Sequence, residues 1–153
     1  MTIPARAHLI NKHSGLAIDI EAANPDEYAR VIQWNLTGNA NQRFALKPIS
    51  VLKGGGYWIS AEHSGGKVVS AHPAFPDRVT QYNLHEPDEA MRFTFQEYTA
   101  SDFEEGLYWI VNKYPPNKML AVKDASTTPG AQLVQADMRK GDASQLWEIK
   151  AIP

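Results

Sequence analysis

The sequence predicts an all-β fold made of three pseudo-symmetric, four-stranded repeats in a single domain. Three observations carry that prediction. A strand-rich pattern of about fifty residues recurs three times along the chain. Helical periodicity is nearly absent; the best window, residues 25–30, is too short for more than a turn. Ten glycines and ten prolines are spread through the connections, as many short strands require.

The first half of each repeat is a short apolar strand, a turn and a second apolar strand. It covers residues 8–20, then 57–70, then 108–122, and Gly, Pro or Asn marks each turn. The third strands also align. Val31-Ile32-Gln33-Trp34-Asn35-Leu36 matches Val79-Thr80-Gln81-Tyr82-Asn83-Leu84 and Leu133-Val134-Gln135-Ala136-Asp137-Met138. A polar loop and a fourth strand follow, entered at Phe44, Phe93 and Trp147. Four strands in each of three repeats give about twelve, which points to a closed architecture without long exposed edges. The repeats span about 5–49, 56–98 and 107–152 of one domain, 1–153. Gly54-Gly55-Gly56 reads as a hairpin connection between repeats, and the acidic stretch 101–106 as a solvated loop.

Bulk properties exclude several classes. The 153 residues suit one domain with a proper core. A hydrophobic fraction of 43% and a charged fraction of 21% argue against long disorder. The formal net charge of −2 offers no basic field for a phosphate backbone, so nucleic acid is not expected as a partner. With no cysteine, disulfides, thiolate metal sites and cysteine nucleophiles are all excluded. Residues 1–6 lack the apolar stretch of a signal peptide, and no run has the length of a membrane span. The expectation is a protein that is cytoplasmic or exported without a signal peptide, with no membrane insertion. The five histidines form no metal-ligand spacing, and there is no nucleophile elbow or phosphate-cradling loop. Neither cofactor, metal nor catalytic activity is expected.

Gln42-Arg43-Phe44 and Gln145-Leu146-Trp147 near the ends of two repeats resemble the QxW signature of ricin B-chain type β-trefoil lectins. The middle repeat departs from it, with Met91 in place of glutamine. The resemblance covers essentially the whole chain. It implies a β-trefoil that binds glycans of glycoproteins or glycolipids, with galactose or N-acetylgalactosamine as the sugar type. Apart from the name, Phe44, Phe93 and Trp147 occupy one equivalent position and are expected in the core near the pseudo-threefold axis. The two glutamines are expected to hold turns by bonds to backbone.

A sugar site needs a carboxylate or amide for hydroxyl groups and an aromatic platform for the ring's C–H face. Lectins similar to this chain place an Asp after the second strand, an aromatic on the third and an Asn beside the glutamine. In the first repeat the resemblance carries these roles to Asp19, Trp34 and Asn41, with Gln42 in support. Ile32 stands where a polar residue is frequent in the family, and Gln33 is expected on the opposite face of its strand. The second repeat keeps weaker candidates, Ser70 and Tyr82, with Ala90 in place of the Asn. The third has Ala121, Ala136 and Ser144 at the three places, and a separate Asp124 nearby. Asn35-Leu36-Thr37 is a glycosylation sequon that adjoins Trp34 and is read as unused.

The rival reading is a β-trefoil protease inhibitor, acting through loop 22–27 or loop 72–78. The coincidence of Asp19, Trp34 and Asn41 in one repeat favours the lectin. A single-site monomer cannot cross-link cells, so agglutination would require a homodimer or a second working site.

Overall fold

The computed structural model describes residues 2–153. Strand β1 (Arg6–Asn11) shows why the pattern folds as it does. Its residues alternate between half-buried and buried, so Ala7, Leu9 and Asn11 face inwards. The chain then forms β2 (Ala17–Ile20), β3 (Val31–Trp34) and β4 (Phe44–Pro48). The second repeat supplies β5 (Tyr57–Ala61), β6 (Val68–Ser70), β7 (Thr80–Tyr82) and β8 (Phe93–Glu97). The third supplies β9 (Leu107–Asn112), β10 (Met119–Val122), β11 (Leu133–Ala136) and β12 (Trp147–Ala151).

Six strands close on themselves. β1 pairs with β4, β4 with β5, β5 with β8, β8 with β9, β9 with β12 and β12 with β1, all antiparallel. The closure leaves this barrel without a free edge. The other six strands form hairpins β2–β3, β6–β7 and β10–β11. Isolated bridges, Arg30 to Thr80 and Ile32 to Gln132, join neighbouring hairpins. A barrel capped by three hairpins in threefold arrangement is the β-trefoil that the repeats predict. Among the described residues, seven one-turn 3-10 segments punctuate the loops.

Phe44, Phe93 and Trp147 are each fully buried and belong to one apolar cluster, with Leu9, Ile59 and Ile110 from the first strand of each repeat. The indole of Trp147 also donates to the Leu120 carbonyl, at 3.1 Å, so its polar edge is satisfied.

A second set of equivalent residues ties the repeats together. Gln33, Gln81 and Gln135 are all buried. Each donates its side-chain amide to two carbonyls of the adjacent repeat's loop. Gln33 reaches Ser126 and Thr128, Gln81 reaches Asn24 and Asp26, and Gln135 reaches His72 and Phe75. The carbonyls of loops 22–27 and 72–78 thus serve as clasps between repeats.

In the acidic stretch 101–106, Asp102, Glu104 and Glu105 are exposed, as expected of a solvated loop, but Phe103 is half-buried. Phe103 packs on Tyr98, ring centroids 5.8 Å apart, beside a small second cluster with Leu107, Trp109, Met119 and Leu146. Asp102 accepts from the Tyr98 hydroxyl at 3.0 Å. The loop's one aromatic residue ties it to the body of the domain, because covering part of a ring removes apolar area from water.

Candidate functional site

The register of the cap hairpins places the site residues. In the first repeat Asp19 lies opposite Ile32 and Ala17 opposite Trp34. Asp19 and Trp34 are therefore diagonal neighbours on one face of the hairpin, on the order of 7–8 Å apart between backbones. The other face carries Ile18, Ile20 and Val31 into the core. Ser70 opposite Thr80, and Ala121 opposite Val134, occupy the place of Asp19 in the other repeats.

Each hairpin floors a cleft. The first has a volume of about 490 Å³ and is lined by Asp19, Glu21, Ile32, Trp34, Asn39 and Asn41, among others. Trp34 is 42% exposed and presents its indole to the cleft. Asp19 is nearly buried. One carboxylate oxygen accepts from the Asn41 side-chain amide at 3.2 Å, the other from that of Gln42 at 2.9 Å. A carboxylate offers about four lone-pair sites, so about two remain for a ligand's hydroxyl groups. Burial pushes the Asp19 pKa above its ordinary value, and the bonds from Gln42 and Asn41 partly offset this.

Gln42 is fully buried, so it positions the site and does not line it. Its amide nitrogen also donates to the Asn35 carbonyl, and its oxygen accepts from the backbone of Thr37 and Gly38. Gln145 does the same for its own loop, bonding the Asp137 carbonyl and the Arg139 amide. Asn41 donates to the Ile20 carbonyl as well as to Asp19.

One wall of the first cleft comes from elsewhere in the chain. Gly130, in the third repeat, lines it beside Trp34. Gly130 donates its amide to the Gln33 carbonyl, and Ala131 accepts from the Gln33 amide. Gln33 thus holds the third-repeat loop against the strand that carries Trp34. Gly130 has φ of +94°, and a Cβ there would meet the indole at 3.6 Å. Glycine keeps this side of the indole uncovered in a conformation other residues rarely adopt. Sequence reasoning missed Gly130; aligning the loops before β3 and β11 would have paired it with Tyr28.

Tyr28 plays the corresponding part in the second cleft. It also has positive φ, +67°, and its amide bonds the Gln81 carbonyl. Its ring stands nearly perpendicular to Tyr82, centroids 5.1 Å apart, and the two hydroxyls are 3.2 Å apart. That hydrogen bond pushes the Tyr82 phenol above its ordinary pKa. The second cleft, about 340 Å³, also contains Ser70, Arg78 and Asp88. Ala90 and Met91 are buried.

The third cleft, about 460 Å³, has no aromatic lining. Its charges largely pair with one another: Lys118 lies 3.8 Å from Asp137 and Arg139 lies 3.8 Å from Asp142. Ser144 donates its hydroxyl to Asp142, and Asp124 lies at the rim. Among the described residues, no group of three or more His, Asp or Glu side chains is placed to hold a metal.

A closed barrel and three capping hairpins define the class as a β-trefoil, here with a cleft on each cap. The ricin-type beta-trefoil lectin domain-like family matches residues 4–83. The chain belongs to that family. No curated protein matches it. Among solved structures it is similar to the designed threefold-symmetric protein ThreeFoil, with 29% identity and a TM-score of 0.82, covering 97% of this chain and 99% of that one. It is also similar to the ricin B-like lectin of Macrolepiota procera in complex with lactose, with 17% identity, a TM-score of 0.73 and 99% of each chain covered. An exo-β-1,3-galactanase from Clostridium thermocellum matches 97% of this chain at 23% identity and a TM-score of 0.81. There the chain spans only 30% of the enzyme's length.

Proposed function

We propose that this protein is a non-catalytic lectin whose first-repeat cleft binds galactose- or N-acetylgalactosamine-type glycans. The observation that carries the reading is the joint placement of Asp19 and Trp34 on one hairpin face. Asp19 would accept a pair of neighbouring hydroxyls, while Trp34 would stack on the apolar face of the same ring. Asn41 and Gln42 would hold the carboxylate in place. Support for the sugar type comes from the family resemblance and from similar folds, one of them in complex with lactose and one, an earthworm R-type lectin, with GalNAc.

The test is calorimetric titration of lactose and N-acetylgalactosamine into wild type, Asp19→Ala and Trp34→Ala. Binding by the wild type with loss in both variants is expected. Unchanged binding in both would remove the site assignment, and no binding to a broad glycan array would remove the lectin reading.

A further inference from the structure

We infer that the second-repeat cleft is a separate site for a saccharide carrying an anionic substituent, a carboxylate or a sulfate. The inference rests on the carbohydrate-binding reading above, but on a different set of residues.

Arg78 is the starting point. Of the six arginines in the chain, Arg6, Arg30, Arg43 and Arg139 each lie within 4 Å of a carboxylate, and Arg92 donates to main-chain carbonyls. Arg78 alone has no acceptor for its guanidinium among the described residues. It is nevertheless placed: its guanidinium carbon sits 5.2 Å from the centroid of the Phe75 ring. An exposed guanidinium held on an aromatic face keeps its N–H fork free for a planar or tetrahedral anion. Arg78 lines the same cleft as Tyr28 and Tyr82.

The two tyrosines form an aromatic corner, with planes 78° apart, fixed by their hydroxyl contact. Such a corner can take the C–H face of a sugar ring. Ser70 replaces the carboxylate that Asp19 places in the first cleft, which removes a charge that would repel an anion. Asp88 does line this cleft, with one oxygen taken by the Ala90 amide, so its other oxygen can serve ring hydroxyls while Arg78 holds the anionic group. Neither of the other clefts offers this combination. The first has no cation lining it, and the third pairs its cations internally.

The probes are lactose, 3′-sialyllactose and 3′-sulfolactose, titrated into wild type, Asp19→Ala, Arg78→Gln and the double variant. The Asp19→Ala protein should still bind at least one anionic sugar, and adding Arg78→Gln should weaken that binding roughly tenfold or more, as loss of a charge-assisted pair does. That binding should also weaken as salt rises. Lactose binding should not respond to Arg78→Gln. Preference between the two anionic probes tells carboxylate from sulfate. Absence of saturable anionic-sugar binding to the Asp19→Ala protein, or binding indifferent to Arg78→Gln, overturns the inference. Lactose binding that survives Asp19→Ala would instead count against the first-cleft reading and leave the Arg78 comparison intact. Arg78 is exposed, so thermal unfolding should show an intact fold in its variant.

Discussion

The first and second clefts stand on equivalent strand pairs, β2–β3 and β6–β7, in the same register, yet they are furnished by different chemistry. The first has Asp19 and Trp34, with a glycine from the third repeat beside the indole. The second has Ser70 and Tyr82, with a tyrosine from the first repeat beside the phenol. Gly130 and Tyr28 share a left-handed backbone and a bond to the glutamine of the neighbouring hairpin. The comparison shows that the scaffold and the sites answer to separate residues. Gln33, Gln81 and Gln135 keep the repeats clasped in all three places, while the outer face of each hairpin is free to vary. It also shows that neither of these two clefts is built by one repeat alone. The third repeat, which has lost the Asp, the aromatic and the Asn, still walls the first cleft.

The largest effect expected from breaking this contrast is at Asp19. Asp19→Ala removes the ligand's charged acceptor and should lower affinity for lactose about 100-fold by calorimetry, since bonds to a charged group are worth about 1.5–3 kcal/mol. The fold should survive, because Gln42 and Asn41 keep their bonds to the Asn35 and Ile20 carbonyls.

Gly130→Tyr carries the second cleft's wall into the first. It should weaken lactose about tenfold by crowding Trp34. It should also lower unfolding stability by about 1–3 kcal/mol, because φ of +94° strains any residue with a Cβ. Chemical denaturation separates the two effects.

Gln33→Ala and Gln135→Ala each remove a two-carbonyl clasp, and each should cost about 2 kcal/mol of stability. Only Gln33→Ala should also weaken sugar binding, by about threefold, since its loop is the one that carries Gly130. An equal loss of affinity in both would show that the wall does not matter.

The smallest expected effects are in pH dependence, and two carboxylates act in opposite directions. Asp19 has a raised pKa, so lactose affinity should fall as pH drops through it and the acceptor is protonated. The same shift makes Asp19 favour the folded state at low pH, a contribution lost as pH rises through the raised value. Glu62 bridges Arg6 and Arg43, which hold its pKa down to about 2. Its contribution is present above the ordinary glutamate range and lost as pH falls towards about 2. Melting curves of Asp19→Asn and Glu62→Gln across acid pH should therefore diverge from wild type with opposite slopes. The Glu62 effect should be modest, as the pair is solvent-exposed.

Much of this is legible in the amino-acid sequence. The recurrence of Phe44, Phe93 and Trp147 placed three core rings, and the aligned third strands placed Trp34, Tyr82 and Ala136 at one structural position. Asp19, Trp34 and Asn41 could be grouped because the family resemblance carries all three roles to residues of one repeat. Gln33 was legible only as facing the other way; its partners, Ser126 and Thr128, lie far along the chain. Phe103 was obscured by the acidic residues around it.

The sequence by itself determined the threefold scaffold and the identity of the polar and aromatic groups on each hairpin, because both follow from period-two patterning repeated at a fixed interval. Only the tertiary structure decided what stands opposite those groups. Gly130 beside Trp34 and Tyr28 beside Tyr82 depend on how one repeat's loop docks on the next, and closure of the barrel sets that docking. It also decided that Gln42 is fully buried and that Arg78 is unpaired among the described residues, because burial and pairing belong to the assembled surface and not to any segment of the chain.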